Sequence, residues 1–138
     1  MSEIKRVGVL GSGIMGSGLA EVAARAGFDV VVRSRSKAAA DAMLASIDKG
    51  FTKAIERGKA TEDERAAVIS RITPTDHLGD VADCDLVIES VVEDLAVKKA
   101  LFTELEEIVK PGGILATNTS TLPVVEMAMV TKIGRAHV

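Results

Sequence analysis

The sequence has few aromatic side chains and a single cysteine. Its 138 residues include three Phe, one Cys, and no Trp or Tyr. One cysteine excludes an intramolecular disulfide, and this favours a reducing compartment, so we expect a cytoplasmic protein. No apolar run approaches the length of a membrane span, and the N-terminus lacks the apolar core of a signal peptide. A net charge of −3 argues against nucleic-acid or anionic-membrane partners.

The remaining composition favours one globular domain with an aliphatic core. Hydrophobic residues make up 47% of the chain, and with so few aromatics the core must be Val, Ile, Leu and Ala. Such a core suits a parallel sheet covered by helices. Cys84 lies between Asp83 and Asp85, which disfavour its thiolate, so we predict a structural role for it. His77 and His137 have no acidic partner at catalytic spacing, and no metal site is expected.

A glycine-rich turn follows the first apolar run. Gly11, Gly13 and Gly16 form a G-x-G-x-x-G pattern between a strand and a helix. In such a turn the first glycine allows the tight bend, the second lets the backbone approach a pyrophosphate, and the third lets the helix pack on the strand. The helix N–H groups then face the anion. The predicted pyrophosphate site comprises Gly11, Ser12, Gly13, Ile14, Met15 and Gly16. A turn kept for packing alone is the alternative, but it leaves Gly18 unexplained, because a further helical glycine costs stability.

The rest of the chain alternates strands and helices. Strands are predicted at 5–10, 29–33, 72–75, 85–89 and 114–117, and helices at 13–26, 37–58, 61–70, 95–109 and after Thr121. The second helix carries an apolar stripe with a spacing of four: Ala39, Met43, Ile47, Phe51 and Ile55. Two consecutive helices indicate an inserted helical hairpin. The alternation predicts an α/β fold, a Rossmann-like, doubly wound parallel sheet.

The end of the second predicted strand indicates which dinucleotide binds. Domains that bind NAD usually place Asp or Glu there, to accept a hydrogen bond from the ribose 2′-OH. Here the position is Ser34, flanked by Arg33 and Arg35. Strand alternation puts the two arginines on one side, where guanidinium groups can hold a 2′-phosphate. We therefore expect NADP to be preferred over NAD. Alternatively, the arginines are solvated and NAD binds.

Three blocks in the second half carry a family resemblance. They are residues 85–94, 98–102 and 114–120, which contain Glu89, Glu93, Lys98 and an Asn-Thr-Ser segment. Together with the glycine turn they resemble the N-terminal domain of the 3-hydroxyacyl-CoA dehydrogenase family, over residues 4 to 131. The resemblance implies interconversion of (S)-3-hydroxyacyl-CoA and 3-ketoacyl-CoA with NAD or NADP in fatty-acid and butanoate metabolism. It also implies an acyl-CoA substrate and a homodimeric parent protein.

The resemblance also implies roles for individual residues. Glu93 and Lys98 match residues that line the cofactor site. Ser120 matches a serine that contacts nicotinamide and the substrate 3-oxygen, and Asn118 belongs to the same loop, so both are candidate catalytic residues. Arg57 falls on a basic position that contacts CoA from the family's helical hairpin, and Lys53 and Lys59 lie nearby. Lys53 and Arg57 are therefore the expected CoA contacts. Gly50 stands where the family has a serine, which puts one CoA hydrogen bond in doubt.

Simpler interpretations of these residues remain open. Lys98 is near enough to pair with a carboxylate, and a surface ion pair would contribute little. Ser120 could be only a helix N-cap. Glu89 could cap a loop, and it is left outside the predicted site. Arg57 and Lys59 could be ordinary solvated residues.

The C-terminus departs from the family pattern. The family continues into a His-Phe-Phe-Asn-Pro-like strand, which carries the general base, and then into a helical domain. Residues 133–138 instead translate ATC GGA AGA GCA CAC GTC, which resembles a sequencing adapter. We expect residues 1–131 to be an incomplete dinucleotide-binding domain, inactive alone, and 132–138 to be a non-native tail. On this interpretation His137 is not the catalytic histidine. A natural short protein is the alternative.

Two other functions remain open. The wider β-hydroxyacid dehydrogenase group, which acts on small carboxylic acids, has a similar glycine turn, and Ser34-Arg35-Ser36 echoes its Asn-Arg-Thr. It lacks the paired-Glu and Asn-Thr-Ser blocks. A non-enzymatic dinucleotide-binding module is the other alternative.

Overall fold

A computed structural model describes residues 4–11, 13–90, 95–117 and 136–137. Over residues 6–117 strands and helices alternate, except that two helices follow the second strand and a 3₁₀ turn at Leu78–Val81 precedes the fourth. The strands are β1 Arg6–Leu10, β2 Asp29–Arg33, β3 Ile72–Thr75, β4 Leu86–Glu89, β5 Ile114–Thr117 and β6 Ala136–His137, and the helices are α1 Ile14–Arg25, α2 Lys37–Glu56, α3 Glu62–Arg71 and α4 Leu95–Ile108.

The strands form one parallel sheet in the order β3-β2-β1-β4-β5-β6. The chain moves outward from β1 to β3 and then returns to place β4 on the other side of β1. This reversal is a topological switch point, and open α/β sheets bind ligands there, beyond the carboxyl ends of the strands. The predicted doubly wound fold is confirmed.

The two faces of the sheet bury different sets of residues. Val30 and Val32 pack with α1 and α2 on one face, while Val31 packs with α4 on the other. This alternation within one strand shows that β2 is covered on both sides, as expected of a parallel sheet. Cys84 is fully buried in the second cluster. Burial raises the pKa of its thiol to about 11, with smaller effects from Asp83 and Asp85, so the structural role predicted for it fits its surroundings.

Local signals place the ends of the helices. Ser36 and Thr61 cap α2 and α3, since their hydroxyls accept hydrogen bonds from the N–H groups of Ala39 and Glu64. Gly27 follows α1 with φ +100°, in the left-handed region that ends helices. The hairpin of α2 and α3 is confirmed, and Arg65 joins the two helices through Asp48 at 2.5 Å.

The predicted apolar stripe on α2 is wrong at its ends. The buried residues are Ala40, Met43, Ile47 and Phe51, whereas Ala39 and Ile55 are only half-buried. An α-helix has 3.6 residues per turn, so positions spaced by four drift around the axis, and the first and last leave the buried face.

Among the described helices, none is long and apolar enough to cross a membrane.

Two short elements have no counterpart in the sequence prediction. They are the 3₁₀ turn and β6, which pairs with Leu115 and Ala116 of β5. Strand β6 lies within the segment predicted to be a non-native tail. The helix predicted after Thr121 lies outside the described residues.

Candidate dinucleotide site

The glycine turn joins β1 to α1 at the switch point. Gly11 has φ +112°, and its N–H donates to the carbonyl of Arg33 at 2.9 Å. Gly16 is buried, and a Cβ there would overlap the Gly11 carbonyl oxygen and lie 3.7 Å from Val9 Cγ1. A side chain at residue 16 would therefore push α1 away from the turn. This contact agrees with the prediction that Gly16 allows close helix–strand packing.

The N-terminus of α1 is open to a ligand on its solvent side. Gly13 is the N-cap, exposed and extended, with no described atom within 4 Å of a Cβ built on it. Ile14 and Met15 are the first two residues of α1, whose backbone N–H groups have no partner within a helix. This end of α1 fits a pyrophosphate. Ser12 lies outside the described residues.

Gly18 does not have the packing role of Gly16. A Cβ at Gly18 would meet no described atom within 4 Å. Close packing therefore does not account for this glycine.

Arg33 lies beside the glycine turn, where its carbonyl accepts the hydrogen bond from the Gly11 N–H. Arg33 ends β2, is half-buried, and donates from Nε to the carbonyl of Asp76 at 3.3 Å. The next residue, Ser34, donates its N–H to the carbonyl of Thr75, and Arg35 is exposed. The prediction that both arginines lie on one side assumed that the strand continues to Arg35. Because β2 ends at Arg33, strand alternation does not determine the side on which Arg35 lies. A guanidinium has five N–H donors, so the bond to Asp76 leaves Arg33 able to bind an anion.

A buried ion pair lies on the other side of β1. Glu89 ends β4, opposite Leu10 of β1 and Thr117 of β5. Its Oε2 is 3.1 Å from Nζ of Lys98 in the first turn of α4, and both side chains have no exposed surface. Lys98 does pair with a carboxylate, as expected, but the interpretation as a surface ion pair is wrong.

The burial of Glu89 against Lys98 was not predicted from the sequence. The available signal was a carboxylate that ends a buried strand at the switch point, nine positions before a lysine. Local pattern alone could not show that both side chains are buried, because their burial depends on packing between β4 and α4.

The basic residues assigned to CoA lie far from this edge. Lys53 and Arg57 are exposed near the C-terminal end of α2, a helix of 20 residues and thus about 30 Å long. About one turn before that end, Phe51 packs under the guanidinium of Arg25, the last residue of α1. The distance from Arg25 Cζ to the centre of the Phe51 ring is 4.5 Å. The structure does not bring Lys53 and Arg57 together with the glycine turn.

Ser12 is one of four assigned residues that are not among those the structure describes. Glu93, Asn118 and Ser120 lie outside the described residues, so their roles stay predictions. Within the described ranges, no three His, Cys, Asp or Glu side chains are close enough to hold a metal ion.

Comparison with known proteins identifies this arrangement. The family model described as 3-hydroxyacyl-CoA dehydrogenase, NAD binding domain, matches residues 6–137. The chain belongs to this family. The domain is therefore an NAD(P)-binding domain, as the glycine turn indicated.

Individual relatives agree with the family match. A 3-hydroxybutyryl-CoA dehydrogenase of Mycobacterium tuberculosis is 47% identical over 130 residues, which are 94% of this chain and 46% of that protein. The crystal structure of 3-hydroxybutyryl-CoA dehydrogenase from Escherichia coli matches 98% of this chain and 29% of that one, at 36% identity and a TM-score of 0.94. The (S)-3-hydroxybutyryl-CoA dehydrogenase of Ralstonia eutropha matches 97% of this chain and 48% of that one, at 31% identity and a TM-score of 0.92. The chain spans about half the length of the curated relatives it matches.

Proposed function

We propose that the protein interconverts (S)-3-hydroxyacyl-CoA and 3-ketoacyl-CoA with a nicotinamide dinucleotide. The observation that carries this proposal is the contact between Gly16 and the Gly11 turn at the switch point, in a chain whose family match covers residues 6–137. Relatives that match this chain over more than nine-tenths of its length are named as 3-hydroxybutyryl-CoA dehydrogenases. A short-chain 3-hydroxyacyl-CoA is therefore the substrate class to test first.

The residues divide this work between binding and catalysis. When bound, the dinucleotide supplies the hydride chemistry. Gly11, Gly13 and the first N–H groups of α1 bind the pyrophosphate. Ser120 hydrogen-bonds the substrate 3-oxygen, and Asn118 is a second candidate catalytic residue in the same loop; both assignments are inferred from family resemblance. Lys53 and Arg57 contact the CoA nucleotide, which would have to lie along α2 to reach them.

The activity is tested on the whole protein with acetoacetyl-CoA. Consumption of the reduced nicotinamide is followed by its absorbance, with free acetoacetate as the matched substrate without CoA. We expect turnover of the thioester and little of the free acid. Turnover of the free acid alone would favour the β-hydroxyacid dehydrogenases. Tight dinucleotide binding without turnover of any 3-hydroxyacyl-CoA would favour a non-enzymatic module.

We propose further that NADP is preferred over NAD. The support is Ser34 at the ribose position between Arg33 and Arg35, with Arg33 beside the glycine turn. NADH and NADPH are titrated separately into the wild type and into Arg33→Ala and Arg35→Ala. Loss of one charge-assisted contact to the 2′-phosphate should weaken NADPH binding about tenfold and leave NADH binding nearly unchanged. Tighter NADH binding that neither substitution alters would contradict the preference.

The origin of residues 132–138 stays a prediction with its own test. Unamplified source DNA is sequenced beyond the codon for Thr131. A continuation into a His-Phe-Phe-Asn-Pro-like strand would support a non-native tail. The same adapter-like codons in genomic DNA would contradict it.

A further inference from the structure

The buried ion pair between Glu89 and Lys98 contributes little to the stability of the fold relative to the free energy that its desolvation costs. Both side chains are fully buried, and desolvation of two charges can cost more than their attraction returns. Lys98 also lies in the first turn of α4, where the positive end of the helix dipole opposes an ammonium. Because well-packed apolar residues usually serve stability as well or better, the pair calls for a role beyond packing.

The location of the pair indicates that role. Glu89 ends β4 opposite Leu10, the last residue of β1 before the glycine turn. The N–H of the next residue, Ser90, donates to the carbonyl of Leu10 at 2.8 Å. The carboxylate therefore stands at the switch point of the sheet, on the side of β1 opposite Arg33. A cation held here lies at the edge where such sheets bind their ligands.

We propose that Glu89 is a positioning residue, whose buried carboxylate holds the buried Lys98 ammonium beneath the switch point, so that its charge contributes to dinucleotide binding. A lysine side chain has many rotamers, and an ion pair fixes one of them before the ligand arrives. The entropy lost by fixing the lysine side chain is then lost when the protein folds and not when the dinucleotide binds. This inference rests on the proposed dinucleotide function.

The test uses three variants of the whole protein: Glu89→Gln, Lys98→Met, and both together. NADH and NADPH affinities are read from nicotinamide fluorescence, and stability from thermal unfolding by circular dichroism. Each single variant should weaken the tighter-bound dinucleotide about tenfold or more. Because Glu89 acts through Lys98, the double variant should bind no more weakly than Lys98→Met.

Stability separates positioning from a purely structural role. The double variant removes both charges, so its melting temperature should recover towards the wild-type value, while its affinity should not. The matched control is Asp85→Asn, which breaks an Asp–Lys pair at the opposite edge of the sheet and should leave affinity unchanged. If the single variants fail to fold, the affinity and melting temperature of the double variant still test the proposal.

Two outcomes would overturn the inference. One is a folded Glu89→Gln protein that binds the dinucleotide as tightly as wild type. The other is a double variant whose affinity recovers together with its stability. If wild type binds neither NADH nor NADPH, the proposed function fails instead, and the two failures are thereby distinguished.

Discussion

Two glycines in α1 differ in what a side chain would meet. Gly16 lies against the backbone of Gly11, whereas Gly18 is exposed with open space around it. The G-x-G-x-x-G pattern assigns a packing role to Gly16 and none to Gly18, and the contact with the turn agrees with that assignment. The pair therefore offers a test of close packing. Helix propensity favours alanine over glycine at both positions, whereas the contact with Gly11 opposes a side chain at residue 16 alone.

Substitution of Gly16 by Ala should lower the free energy of unfolding by roughly 1–3 kcal/mol, because the turn or α1 must move. It should also weaken dinucleotide binding, since the same turn holds the pyrophosphate. Gly18→Ala is the control and should raise stability by roughly 0.5–1 kcal/mol, because helical glycine is costly. With no Trp or Tyr in the chain, urea unfolding is followed by far-ultraviolet circular dichroism. Equal effects of the two substitutions would contradict the packing argument.

The thiol of Cys84 gives a second test on one residue. Burial raises its pKa to about 11, so the reactive thiolate is scarce at neutral pH. A disulfide reagent such as dithiobis-nitrobenzoate should leave the folded protein unlabelled over minutes at pH 8 and label it promptly in urea. Prompt labelling of the folded protein would mean that Cys84 is accessible.

At the scale of elements, the helical hairpin is held by local bonds as well as by packing. The Thr61 hydroxyl accepts a hydrogen bond from the Glu64 N–H at 3.2 Å, and Arg65 contacts both Asp48 of α2 and Glu62 of α3. These contacts fix the start of α3, which runs into β3 without an intervening loop. The start of α3 thus helps to place the edge of the sheet.

Thr61→Ala should lower the free energy of unfolding by about 1 kcal/mol, because the cap of α3 is lost. Thr61→Ser keeps the hydroxyl and should stay close to wild type. Urea midpoints measured at one pH compare the three proteins. A serine variant as unstable as the alanine variant would show that the threonine methyl group, rather than the hydrogen bond, is important.

The elements that were predicted correctly are those with local signals. Strands β2, β3 and β5 have their predicted bounds, because each is a short segment bounded by turns or by a helix end. The glycine turn was also predicted, because its G-x-G-x-x-G pattern is a local signal in the sequence. Strand β6 has only two residues and shows no periodicity, and the burial of Glu89 with Lys98 depends on contacts between β4 and α4. Such contacts leave no pattern in either segment alone.

At the scale of the whole molecule, Asp85 joins three segments at the amino edge of the sheet. Its carboxylate accepts hydrogen bonds from the N–H groups of Lys5 and Arg6 at 2.8 and 3.0 Å, and from Lys110 Nζ beyond α4. The bond from Lys110, followed by the two backbone N–H groups, holds the pKa of this carboxyl well below its ordinary value of 3.8. Folding therefore favours the ionised form.

The sign of this shift predicts how stability changes with pH. A folded-state pKa below the unfolded value gives stability that is present above about pH 4 and is lost as the pH falls towards the folded pKa. Asp85→Asn removes this contribution. The difference in urea midpoint between wild type and this variant should be largest near pH 7 and smaller at about pH 3. A difference that stays constant with pH would contradict the assignment.

The strand order has a consequence for the path by which the chain folds. β1 pairs with β2 after a short connection, but its other neighbour is β4, where Val7 meets Leu86. Closure of a longer loop costs more entropy, and pairings distant in sequence slow folding. The half that contains β1, β2 and β3 should therefore assemble first during synthesis on the ribosome. Until β4 emerges, that half would expose the free edge of β1, so the nascent chain is most prone to aggregation at this stage.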